Sequence, residues 1–292
     1  MSLSGISINR LIRLTHLRLL FLIGILVFPV IQKTTLMGQG NLLITPRRVV
    51  FEGNKKNEEL NLANTGNDTA TYNVSLVQYR MKEDGSLVLI TEPDPGQNFA
   101  DKYVRFFPRT VTLAPNEAQV VKMQLFRAND LPAGEYRSHI YFRAVPRPSA
   151  LGAEEKPTDT TTLSVKLVPI FGITIPVIIR VGSSTAKASL SDLSLKMVND
   201  TIPQLSLTFN RSGNMSVYGD IEVNHVSSNG SINQVGYIRG LAVYTPNLIR
   251  NAKIDLRIIP GLDYRSGKLQ ITYVSQTDVN PVKLATAELD LN

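Results

Sequence analysis

Cysteine is missing from all 292 residues, and histidine occurs three times, as His16, His139 and His225. Without a thiol the chain makes no disulfide, offers no thiolate to a metal and has no cysteine nucleophile, so it must rely on apolar cores for stability. The histidines are isolated and no histidine and carboxylate cluster has metal-ligand spacing, so neither a metal nor another cofactor is expected. His139 alternates with Arg137, Tyr141 and Arg143, which predicts a polar sheet face rather than a catalytic group. Acidic residues are scattered among turns and edges, with no pair marked out as general acid and base.

Two catalytic or nucleotide motifs are present only in outline. Ser184 and Lys187 have the serine-x-x-lysine spacing of some acyl-transfer enzymes, but they fall in a connecting segment without companion motifs. Gly261 to Gly267-Lys268 has five residues between its glycines where a phosphate loop has four, and Leu269 stands where that loop needs a hydroxyl. No enzyme activity and no small-molecule substrate are expected.

The net charge is +7, yet residues 1–38 carry Arg10, Arg13, Arg18 and Lys33 and no acid, so taking these four charges from +7 leaves +3. The basic excess belongs largely to that segment, which removes most of the support for nucleic acid as a partner. Three arginines followed by a 13-residue apolar run from Leu19 to Ile31 read as a secretory signal, since a spanning helix needs ~20 residues. Cleavage is expected between Gly38 and Gln39, with the exported chain residing in the periplasm.

Sustained 3.6-residue periodicity is also lacking. Residues 39–292 read as short strands separated by turns such as Thr65-Gly66-Asn67-Asp68 and Leu131-Pro132-Ala133-Gly134. The expected fold is all-β, two immunoglobulin-like β-sandwich domains in tandem, over residues 39–182 and 183–292. Strands are predicted over 42–51, 58–64, 71–81, 119–126 and 134–145, then over 163–181. In the second half they are placed near 190–198, 204–210, 218–226, 239–244, 253–258 and 268–273. Val121, Met123 and Leu125 alternate with Lys122 and Gln124, as a half-buried strand requires. Residues 146–162, rich in Pro, Ser, Thr and charge, read as a mobile loop within the first domain, and 182–186 (GSSTA) as the hinge.

The stretch 163–181 is the most informative. Its 19 residues exceed the usual strand of about 5 to 6. In an extended chain Val165, Leu167, Pro169, Phe171, Ile173 and Ile175 share one face, and the part nearest the mobile loop should extend beyond its own sheet. Pro169 and Pro176 lie an odd seven residues apart, so a one-residue bulge at Gly172 is expected to bring both to an unpaired edge.

Three segments, TPRRVVFEG at 45–53, LPAGEYRSHIYFRAVP at 131–146 and the strand at 163–181, resemble in order and spacing the periplasmic chaperones of the chaperone and usher pathway. The resemblance implies donor-strand complementation, in which the long strand completes an unfinished sandwich of a pilin-like or other secreted subunit. The client-binding residues it implies are Val165, Leu167, Pro169, Phe171 and Ile173, with an outer-membrane usher as a further candidate partner. Arg48 resembles the family's first-strand arginine, which holds the client's terminal carboxylate in the cleft between domains. Arg180 resembles the arginine that closes the last strand. The family's second anchor, a lysine, falls here on Pro176, so either Arg180 or Lys166 supplies the charge or the chain belongs to a divergent branch whose client is held without the paired anchor. The rival expectation is a structural or adhesive cell-surface protein of two immunoglobulin-like domains, whose long strand completes its own sheet.

Overall fold

The computed structural model describes residues 41–127, 130–146, 170–276 and 281–291. Gln39–Asn292 form one compact unit, and within it the fold is all-β, two immunoglobulin-like sandwiches in tandem. The first contains β1 (Leu42–Thr45), β2 (Val49–Glu52), β3 (Asn57–Asn64), β4 (Ala70–Met81), β5 (Leu87–Ile90), β6 (Val104–Phe107), β7 (Thr110–Leu113), β8 (Ala118–Leu125), β9 (Gly134–Ala144) and β10 (Gly172–Val181). One sheet has the order β1-β3-β8-β6, the other β2-β10-β9-β4-β5, with β7 also paired to β4. The second contains β11 (Lys187–Val198), β12 (Ile202–Ser212), β13 (Val217–Val226), β14 (Ile232–Val243), β15 (Ile249–Asp255), β16 (Lys268–Ser275) and β17 (Lys283–Asp290), in sheets β11-β12-β15 and β14-β13-β16-β17. Among these strands all pairings are antiparallel except that of β2 with β10.

Alternation builds each core. In β8, Val121, Met123 and Leu125 are buried while Lys122 and Gln124 face water. They meet Phe51, Leu60, Leu62, Ile140, Phe142, Val177 and Ile179 in the first core. The second core forms around Leu205, Phe209, Ile221, Ile271 and Tyr273, with the Phe209 and Tyr273 rings edge to face at 5.1 Å. Burying each such side chain contributes about 1.5–3 kcal/mol, so two separate cores can support the chain without a disulfide.

Several expected elements differ. The strand predicted over 42–51 is two strands in different sheets, because Pro46 has no N–H for the β1–β3 ladder and the chain crosses over before β2. Strands β5, β6, β7 and β17 have no counterpart in the sequence reading. Three of these four are only four residues long, too short for a period to register. The long strand begins at Gly172 within the described residues, and its pairing with β9 is regular from Gly172↔Arg143 to Val181↔Gly134. The bulge expected at Gly172 is therefore absent. The glycine is instead needed for space: a Cβ there would lie 2.2 Å from the Tyr141 ring.

Candidate functional site

Strand β9 is buried on both faces over Gly134–Ile140, which is unusual for an antiparallel strand with one polar face. One face, with Tyr136 and Ile140, belongs to the first core. The other, with Glu135, Arg137 and His139, is covered by the second sandwich. There Met81, Ile178, Ala242 and Tyr244 form a small third cluster, flanked by Val50 and Tyr218. The polar face anticipated around His139 exists, but it lines a closed interface, not water.

Glu135 ties the two bodies together. Its fully buried carboxylate accepts hydrogen bonds from Arg180 Nε (3.2 Å), the Ser216 backbone N–H (3.0 Å), the Ser216 hydroxyl and Thr245 Oγ1 (3.4 Å). Arg180 also donates through Nη2 to the Ser216 carbonyl (3.0 Å), and its Nη1 stands 3.7 Å from Glu52. Arg211 organises the loops that carry Ser216 and Thr245 by donating to the carbonyls of Gly213, Met215, Pro246 and Asn247. The hinge is pinned as well: Asn214 Oδ1 accepts from the Thr185 N–H (2.8 Å) and Asn214 Nδ2 donates to the Ser183 carbonyl (3.0 Å). At the far side the β4–β5 turn is held where the Asn251 N–H donates to the Glu83 carbonyl (2.6 Å) and Asn247 Nδ2 to that of Met81 (2.9 Å).

Next to this network lie two guanidinium groups with fewer partners, of which Arg137 donates through Nη2 to the Thr245 carbonyl (3.4 Å). Arg48, half-buried, stacks over the Tyr218 ring at 4.1 Å, and Arg137, 2% exposed, over Tyr244 at 4.4 Å. Arg48 Nη1 and Arg137 Nε and Nη1 are buried without a hydrogen-bond partner. Burial lowers the pKa of both side chains, because desolvation penalises the charged form. His139, set edge to face against Tyr79 (5.0 Å) and Tyr244 (6.5 Å), is lowered to about 3 by burial and then by the Arg137 charge. Among the described residues no group of three or more histidines and carboxylates is placed to hold a metal ion.

Strand β10 has an open flank. The Ala144 N–H donates to the Phe171 carbonyl (2.9 Å), so with regular pairing the odd residues of β10 bond to β9 and the even ones turn their backbone groups away. On that far side β2 pairs only with Val177–Arg180. Pro176, with no N–H to donate, sits where the β2 pairing stops. Gly172 and Thr174 thus direct N–H and C=O groups to a flank that no strand among the described residues occupies. Phe171, 46% exposed, and Ile170, 43% exposed, lead into it.

Of the residues singled out from sequence, Arg48 is half-buried against the Tyr218 ring of the second sandwich, and Phe171 is exposed just before β10. Ile173 is half-buried and packs, with Ile175, against its own sandwich core, so the apolar row does not stay free along its length. Arg180 is committed to Glu135 and Ser216. Val165, Leu167, Pro169 and Lys166, and most of the anticipated loop 146–162, lie outside the described residues. Sequence reasoning missed Glu135, Tyr218 and Tyr244, and it read Arg137 and His139 as an ordinary polar face. The available signal was three ionisable groups in strict alternation with Tyr136, Ser138 and Ile140.

The sequence matches no family model, and no curated protein matches it. Its fold is similar to solved structures of fimbrial chaperones. It is 12% identical to the YadV chaperone, with a TM-score of 0.43 over 86% of this chain and 100% of that one. Against the CupB2 chaperone of Pseudomonas aeruginosa the values are 14%, 0.40, 85% and 100%. Against the Salmonella enterica SafA pilin in complex with the SafB chaperone they are 13%, 0.38, 86% and 96%.

Proposed function

We propose that this chain is a periplasmic chaperone that binds pilin-like or other secreted subunits by lending them the open flank of β10, in donor-strand complementation. The observation that carries the reading is the flank at Gly172–Pro176, which no strand among the described residues pairs, entered from exposed Ile170 and Phe171 and level with Arg48 just before the neighbouring strand β2. Edge hydrogen bonds give sequence-tolerant affinity, and burying a side chain such as Phe171 adds about 1.5–3 kcal/mol. Arg48, with an unsatisfied donor at the cleft, suits the terminal carboxylate of the bound subunit. The function is holding and release, without turnover, and an outer-membrane usher is a candidate recipient. Export to the periplasm rests on the basic and apolar character of residues 1–38.

One observation favours the rival, a structural or adhesive surface protein: Ile173 and Ile175 already serve their own core. The two readings separate on recovery of the exported chain from the periplasm, with mass spectrometry of co-purifying proteins, for wild type, Arg48→Ala, Leu167→Asp and Phe171→Asp. A chaperone brings down secreted subunits that each substitution releases. Recovery without partners, or with partners indifferent to all three changes, refutes the chaperone reading.

A further inference from the structure

The buried face between the sandwiches holds more positive charge than its single enclosed carboxylate answers. Both Glu135 oxygens are occupied by Arg180, Ser216 and Thr245. Arg211 spends its donors on four carbonyls. Arg48 and Arg137 remain, with three buried nitrogens that find no acceptor among the described residues, although Arg137 Nη2 donates to the Thr245 carbonyl (3.4 Å); Arg250, beside Ala242, keeps one such nitrogen as well. The tyrosine rings beneath them do not resolve this. A ring face attracts the flat face of a guanidinium, whereas its N–H bonds lie in the plane and point past the ring edge. Leaving such donors dry is costly, so a site that keeps two such guanidinium groups is built for an acceptor that arrives from outside.

Strand register brings the two arginines to the same patch. Val49 pairs with Val177, which puts Arg48 level with Pro176, and Pro176 faces His139 on β9. Arg137 is the next residue of β9 on that side. The proline between them carries no charge and no long side chain. Arg48 and Pro176 are half-buried, while Arg137 is 2% exposed, so a ligand would enter from the side of Arg48.

We propose that Arg137 is the second cation of the carboxylate site, closing on the ligand from the side opposite Arg48. This rests on the role given to Arg48 above and answers what supplies the charge that Pro176 lacks. Arg180, the alternative within the described residues, is held by Glu135. The ligand class is a carboxylate, the terminal group of a bound polypeptide. Two guanidinium groups spread planar N–H donors over the two oxygens of a carboxylate, an arrangement a single lysine does not provide.

The test uses the purified exported chain titrated with acetate, acetamide and inorganic phosphate, following the Nε–H resonance of Arg137 by NMR. Acetate should shift that resonance saturably and raise the thermal midpoint, while acetamide should do neither and phosphate should bind more weakly than acetate. Arg137→Gln should weaken acetate binding about tenfold to a hundredfold. If that variant does not fold, Arg137→Lys, which keeps the charge but loses the fork, should still bind more weakly than wild type. Arg105→Gln, at an exposed arginine on β6 in the opposite sheet, should bind as wild type does. An unshifted Arg137 resonance, unchanged acetate affinity in the Arg137 variants, or phosphate binding as tightly as acetate overturns the assignment. Co-purification separates this from the chaperone reading. Subunits lost from Arg48→Ala but retained by Arg137→Gln sink the role of Arg137 alone. Acetate binding that depends on Arg137 in a chain that recovers no subunit sinks the chaperone reading alone.

Discussion

Acidification should loosen the contact between the sandwiches through His139. In the unfolded chain this imidazole titrates near 6.5, whereas burial and the neighbouring Arg137 hold it neutral down to about 3 in the folded protein. Between those values the unfolded state binds a proton that the folded state refuses. Stability contributed by the neutral ring is therefore complete above pH 6.5 and is lost as the pH falls towards 3. Each full pH unit in that window costs about 1.4 kcal/mol, so passing from about pH 7.5 to about pH 5 removes ~2 kcal/mol and the whole window ~5 kcal/mol. The assay is urea unfolding at the two pH values for wild type and His139→Gln. Carboxylates elsewhere contribute equally to both proteins, so the difference between their pH responses isolates the ring. Wild type should lose about 2 kcal/mol more than the variant over this range. Identical pH responses would show that the imidazole is hydrated or paired when the protein is folded, and the reasoning would fail.

Glu135→Gln should destabilise the protein by about 3–5 kcal/mol, because it removes one partner of a buried ion pair and leaves Arg180 poorly answered. In urea unfolding its effect should couple to that of Ser216→Ala by ~0.5–3 kcal/mol, since the Ser216 hydroxyl donates to this carboxylate; strict additivity would contradict the geometry. Gly213→Ala should cost more than Gly230→Ala. Both glycines have φ near +85°, but a Cβ at Gly213 would lie 2.3 Å from the Thr185 carbonyl while nothing stands within 4 Å at Gly230. Thermal unfolding should place the first above ~2 kcal/mol and the second near ~1 kcal/mol, and equal costs would refute the close approach of hinge and loop.

Much of the fold could be read locally. Strand β8 declares its buried side through Val121, Met123 and Leu125, and the turns at Thr65–Asp68 and Leu131–Gly134 mark where ladders end. Strands of four residues such as β6 escaped notice, because two apolar positions do not define a period. The candidate site was half legible. Arg48 and Phe171 could be singled out because they belong to segments with a recognisable order, but that Arg48 keeps an unpartnered buried nitrogen and that Phe171 is exposed is visible only in the fold. Arg180 drew attention for the same reason, yet Glu135 already holds it.

The alternation of Glu135, Arg137 and His139 shows that they share a face, and the sequence alone determined that much, along with the all-β class and the division of apolar residues between two cores. Whether the shared face meets water or protein depends on a second body with Tyr218, Tyr244 and Ser216 docking over it, residues about 80 to 110 positions away. Only the tertiary structure decided that, and with it which arginine is paired, which is left unsatisfied and how low His139 titrates. Periodicity is a property of neighbours in the chain, whereas desolvation is set by whatever folds back against them.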